Sequence, residues 1–136
     1  MVRDPVRSGI REWLESSDPV LRLGGDTLVD EMLVLLEERG FDARRVDVQD
    51  LSGKAELLEA LHHALELDEW FGFNWDALEE ALYGPEDRSA PERVVVITGF
   101  EVFRTHAPKD AGIVLDILRS VAGTRGSGLR GCVLIG

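Results

Sequence analysis

The sequence predicts an α/β domain: a small parallel sheet of about three strands with helices packed on it, preceded by an N-terminal helical extension. Three observations carry this. The apolar runs "RVVVITGF" and "GCVLIG" flank the amphipathic stretch "KDAGIVLDILRSVAGTRG", and strand, helix, strand in that order is a βαβ unit with parallel strands. The first run is continuously β-branched, as in a strand covered on both faces. The chain has 136 residues, 44% hydrophobic and 30% charged, which suits one domain with a real core.

The elements follow in order. Asp4-Pro5 offers a cap followed by proline at the first helical position, and Ile10 with Leu14 supplies an apolar stripe, so a short helix runs to about Glu15. "SSDPVLRLGG" reads as a turn closed by Gly24-Gly25. Thr27 caps the next helix, where Leu28, Met32, Leu35 and Leu36 recur at helical spacing until Gly40. This extension spans 1–43, and the remaining domain spans 44–136.

Val46 and Val48 alternate with charge, predicting a short strand from about Arg44 to Val48. Ser52 caps "GKAELLEALHHALEL", whose Leu57, Leu58, Leu61 and Leu65 form one apolar face. A loop follows, then Asn74 caps a helix with Trp75, Leu78 and Leu82 pointing inward, stopped by Gly84-Pro85. The polar "PEDRSAPER" leads into the β-branched strand. "GFEVFRTHAP" turns over with Phe100 and Phe103 packed inward. The following helix buries Val114, Ile117, Leu118 and Val121, and Gly123 ends it before the last strand.

Composition narrows the function. No run approaches the roughly 18 apolar residues of a membrane span, and the N-terminus lacks the apolar centre of a secretory signal, which predicts a cytoplasmic protein without a membrane partner. The single Cys132 lies in an apolar strand and reads as a small buried residue. A net charge of −11 argues against binding nucleic acid or anionic lipid. That charge is unevenly placed: residues 1–53 carry a net −5, residues 54–87 a net −9 and residues 88–136 a net +3. An acidic middle favours a basic partner or a cation. Mimicry of nucleic acid would need acids spread along a long surface, and these are clustered in one helix and loop.

Enzymatic motifs are absent. No GxSxG, HExxH or CxxC occurs, and the glycine-rich "GTRGSG" precedes a strand instead of leading from one into a helix, so it reads as a flexible turn. His62 and His63 are adjacent on a helix and point about 100° apart, so they cannot serve one metal. His62 and Glu66, four residues apart, support an alternative reading as a small enzyme or metal-dependent regulator, with no convergent third ligand. No catalytic residue and no cofactor is predicted.

The unusual feature is "LDEWFGFNWDALEEALYG". Asp76, Glu79, Glu80 and Tyr83 fall at i, i+3, i+4 and i+7, on the face opposite Trp75, Leu78 and Leu82. Like charges at that spacing cost about a few tenths of a kcal/mol per pair in an isolated helix. Just before them stand Trp70, Phe71 and Phe73, punctuated by Gly72. Aromatics beside polar groups dominate interface hot spots. From the residues alone this is either a protein-binding surface or a packed loop beside a solvated face.

The stretch "ELDEWFGFNWDALEEALYG" resembles the barstar family of intracellular inhibitors of microbial ribonucleases, whose signature is an aromatic pair, glycine, asparagine, then "DAL" entering a short helix. Asn74, Asp76, Ala77, Leu78, Leu82 and Gly84 match as they stand, and Trp70-Phe71 take the places of the aromatic pair. The order of elements from about Arg44 to Gly136 is also similar.

The resemblance implies a non-enzymatic, barstar-like fold and inhibition by plugging, with aromatics on the rim of a basic ribonuclease's active site and carboxylates paired to its cationic groups. Trp70, Phe71, Gly72, Asn74 and Asp76 carry over as partner-binding residues, and Glu80 takes the place of the family's central aspartate. Phe73, Glu79 and Tyr83 complete the expected surface. The sequence departs from the pattern at four places: Glu80 is longer by a methylene, Glu79 stands where an aromatic is common, Phe73 replaces a polar residue, and Ser120 falls where a further contacting carboxylate occurs. The expected partner is a basic extracellular-type ribonuclease or related toxin, bound by a monomer.

Overall fold

The computed structural model describes residues 5–69, 71–84 and 90–136. Its elements run α1 (Pro5–Glu15), β1 (Val20–Leu23), α2 (Val29–Glu38), β2 (Asp42–Asp47), α3 (Lys54–Ala64), α4 (Trp75–Tyr83), β3 (Arg93–Thr98), α5 (Phe100–His106), α6 (Pro108–Ala122) and β4 (Leu129–Ile135). Among the described residues all strand pairings are parallel, in the order β1-β4-β3-β2.

That order decides which helices lie together. The chain steps β2 to β3 to β4 in one direction across the sheet, so right-handed crossovers put α3 to α6 on one face. The step from β1 to β2 runs the opposite way, and the same handedness puts α2 on the other face. The strands confirm this by their period of two. Val95, Ile97, Cys132 and Leu134 join the larger core with Leu61, Leu78, Phe103 and Leu118. Their neighbours Val94, Val96, Val133 and Ile135 join a second core with Ile10, Trp13, Met32 and Leu36. A β-branched run with no polar position is what a two-sided strand needs.

The sheet has four strands where about three were expected. The addition is β1, which lies in the segment read as a turn. Its four residues are too few to show alternation, and its place is set by partners distant in sequence. The Cys132 N–H donates to the Pro19 carbonyl at 2.9 Å, and Gly136 N–H to Leu23 at 3.2 Å. The approach is close enough that a Cβ at Gly131, whose φ is 157°, would overlap the Pro19 carbonyl.

Other expectations shift locally. Asp4, the expected first cap, lies outside the described residues. Thr27 does not cap α2: its hydroxyl donates to the Gly24 carbonyl at 2.6 Å, closing the preceding turn, and Leu28 is the cap residue. Ser52 does not cap α3 either, because its hydroxyl bonds the Glu56 side chain and Gly53 stands at the cap. "GFEVFRTHAP" forms a helix, α5, with Phe100 and Phe103 buried as expected. Among the described residues no helix is long and apolar enough to cross a membrane.

Candidate functional site

The acidic helix α4 is built as its sequence suggests. Asn74 is extended and its side chain accepts from the Ala77 N–H at 2.8 Å, satisfying one of the donors that a helix start leaves open. Leu78 and Leu82 are fully buried in the larger core, and Trp75 packs partly against it. Asp76, Glu80 and Tyr83 are exposed, and Glu79 is half-buried. Asp76 lies in the first turn, where the helix dipole favours it. Among the described residues, none of Asp76, Glu79 and Glu80 has an ion-pair partner. Lys54, the one lysine or arginine of residues 54–87, sits with its Nζ 5.6 Å from the centre of the Trp75 ring.

The loop before α4 divides its aromatics. Trp70 lies outside the described residues. Phe71, expected on the rim, is only 8% exposed and belongs to the core, so its ring forms the floor of the loop. Phe73 is 47% exposed and adopts a φ of 50°. A bulky residue in that left-handed region costs about 1–3 kcal/mol, which the surroundings must offset. Around it the His62 ring stacks on Phe71 at 5.6 Å and 12° and meets Phe73 at 5.0 Å, while Phe71 and Phe73 meet edge-on at 5.0 Å. The loop is tightened further by the Phe71 N–H donating to Asp68 at 2.9 Å and the Asn74 amide donating to the Gly72 carbonyl at 3.3 Å.

Two arginines fix the ends of this unit. Arg93, the first residue of β3, donates to the Leu82 carbonyl at 2.7 Å and to Ala81 at 3.4 Å, holding the last turn of α4. Burial pushes its guanidinium below the usual arginine range. A Cβ at Gly84, which has a φ of 75°, would approach the same guanidinium at 3.0 Å. Arg44 in β2 binds Asp42 at 2.8 Å and Glu66 at 3.0 Å, and reaches the Ala64 carbonyl at the end of α3 at 3.4 Å. Hydrogen bonds to Asp42 first and Glu66 second raise its pKa. A basic residue at the start of a strand gives no sign in the sequence of which helix end it will meet.

This geometry gives His62 and Glu66 separate partners. The Glu66 carboxylate is held by Arg44, and His62 faces the aromatics and the Asp68 carbonyl. Among the described residues, no three His, Cys, Asp or Glu side chains converge as for a metal ion. Cys132 is buried as expected, and burial pushes its thiol up to about 12.

The profile of the family described as Barstar (barnase inhibitor) matches residues 41–132. No curated protein matches the chain. Among solved structures, a Walker-type ATPase of Pyrococcus abyssi is similar with a TM-score of 0.67 at 16% identity, over 99% of this chain and 45% of that one. A structure of Drosophila ORC bound to DNA is similar with a TM-score of 0.62 at 16% identity, over 94% of this chain and 35% of that one. The chain thus spans less than half of either, and the likeness is one of fold. Here β1 enters α2 through Gly24-Gly25-Asp26-Thr27-Leu28, which lacks the lysine and the length of a phosphate-binding loop.

Proposed function

The chain belongs to the barstar family, and from that premise we propose that it is a non-enzymatic, cytoplasmic inhibitor that occludes the active site of a basic ribonuclease or related toxin with residues 70–83. The observation that carries this is the face of α4: three carboxylates without a cationic partner among the described residues, bordered by exposed Phe73 and Tyr83. Such a face repels itself, and a partner that supplies cations relieves the repulsion as it binds. Lys54 does not supply them, since its ammonium is placed against Trp75.

Binding then proceeds in two physical steps. The net charge of −9 over residues 54–87 raises the encounter rate with a basic cleft, in a way that salt weakens. On docking, Asp76 and Glu80 exchange water for the cationic groups that would otherwise hold substrate phosphate, and the rim of Phe73 and Tyr83 excludes solvent around them. The fixed ends of α4, capped by Asn74 and Arg93, keep the plug rigid, which limits the entropy lost on binding. Titration of a panel of secreted guanyl-specific ribonucleases tests the reading. Stoichiometric inhibition of at least one is expected, and absence of both binding and inhibition across the panel would count against a ribonuclease target.

A further inference from the structure

We propose that His62 is a positioning residue of the recognition loop: it holds Phe73 in its outward, left-handed pose and so sets the aromatic contact the loop offers. The inference rests on the reading of residues 70–83 as the partner-binding surface. His62 belongs to α3, not to the loop, and contacts the loop in three independent ways. Its ring lies nearly parallel to Phe71, with centroids 5.6 Å apart and planes 12° from each other. It meets Phe73 at 5.0 Å. Its Nε2 lies 3.1 Å from the Asp68 carbonyl, and since a carbonyl only accepts, Nε2 carries the hydrogen.

The three contacts divide the work. The bond to Asp68 fixes the turn that the Phe71 N–H closes on the same carbonyl, so one oxygen gathers both the loop backbone and the α3 side chain. The stack on Phe71 sets the plane of the imidazole. Phe73 then rests against two rings, His62 and Phe71, which favours a pose its backbone alone resists. With 47% of Phe73 still exposed, the ring is supported from behind and presented in front. His62 therefore acts on a partner through Phe73.

The test uses the full chain with His62→Ala, His62→Phe and His62→Gln. In the free protein, NMR ring-current shifts of Phe73 and hydrogen exchange of the Phe71 amide report the loop, with the Val95 amide as a core control. His62→Ala is expected to shift the Phe73 ring resonances towards unstructured values and to weaken binding to a ribonuclease that the wild type inhibits by about tenfold, the effect of unfixing a side chain or two. His62→Phe should recover the Phe73 shifts but not the Phe71 amide protection, and His62→Gln the reverse. Unchanged Phe73 shifts in His62→Ala overturn the proposal, as does a loosened loop with undiminished binding. If every ribonuclease fails to bind the wild type while the loop responds as described, the positioning role stands and the ribonuclease reading falls.

Discussion

The two faces of the sheet are made from alternate residues of the same strands, yet they stand in opposite relation to the outside. The face under α3 to α6 carries the larger core and, above it, the loop and acidic helix proposed to meet a partner. The face under α1 and α2 carries the smaller core and lies largely outside the family match, which begins at residue 41. Adjacent arginines show the division at its finest. Arg44 turns to Glu66 beyond α3, and Arg45 turns to Asp30 of α2, 3.7 Å away. The face proposed to meet a partner thus depends on strands whose other side must also be covered.

That dependence can be broken outright. Removing residues 1–40 uncovers Val94, Val96, Val133 and Ile135, none more than 4% exposed. With about 1.5–3 kcal/mol for each fully buried side chain of this kind, the expected loss exceeds about 5 kcal/mol, comparable to the whole stability of many domains. Urea denaturation measures it, and an unchanged midpoint would mean that the two layers are independent.

Within the larger core, stability and recognition should separate. Leu61→Ala, at a site with no exposure, is expected to cost about 2–5 kcal/mol of stability and to leave the affinity of the folded fraction near wild type. Asp76→Ala and Glu80→Ala should do the opposite, losing about 2–5 kcal/mol of binding energy each where a buried charge pair is truncated. Thermal melts and titration calorimetry on the same samples compare the two. If both carboxylate variants bind like wild type, α4 is not the plug.

A smaller effect lies at the joint between loop and helix. Asn74→Ala removes the cap on Ala77 and should lower stability by about 1 kcal/mol, visible as a reduced melting temperature. The smallest effect at neutral pH concerns Cys132, which both its strand neighbours enclose. Its thiol ionises near 12 when folded and near the ordinary 9.0 when unfolded, so its contribution is complete below about pH 9 and is lost as pH rises from there towards 12. Cys132→Ala should flatten the alkaline limb of the stability profile.

Most of the fold was legible because its patterns are local. The β-branched run of β3 and the leucine spacing of α3 each announce themselves within a few residues. β1 was not, since four residues become a strand only by bonding to β4, over 100 residues later in the chain. The geometry of the candidate site was legible where neighbours in the chain decide it, as for the Asn74 cap and the outward placement of Asp76 and Glu80. It was not where tertiary packing decides it. Phe71 reads the same as Phe73 in the sequence, but α3 covers one and leaves the other outside. His62 looked like half of a metal pair because spacing along α3 is visible and the loop above it is not.

Three helices end on an arginine at or near the start of a strand: Ala64 of α3 on Arg44, Leu82 of α4 on Arg93, and Trp13 of α1 on Arg130 at 2.7 Å. Each arginine answers the partial negative charge that a helix C-terminus carries whatever the solution conditions. The attraction proposed for a basic partner is then left chiefly to side-chain carboxylates, which carry most of the net charge of −9 over residues 54–87. The same chain thus uses its positive side chains inwardly, to fasten helix ends to strands, and turns its negative ones outward.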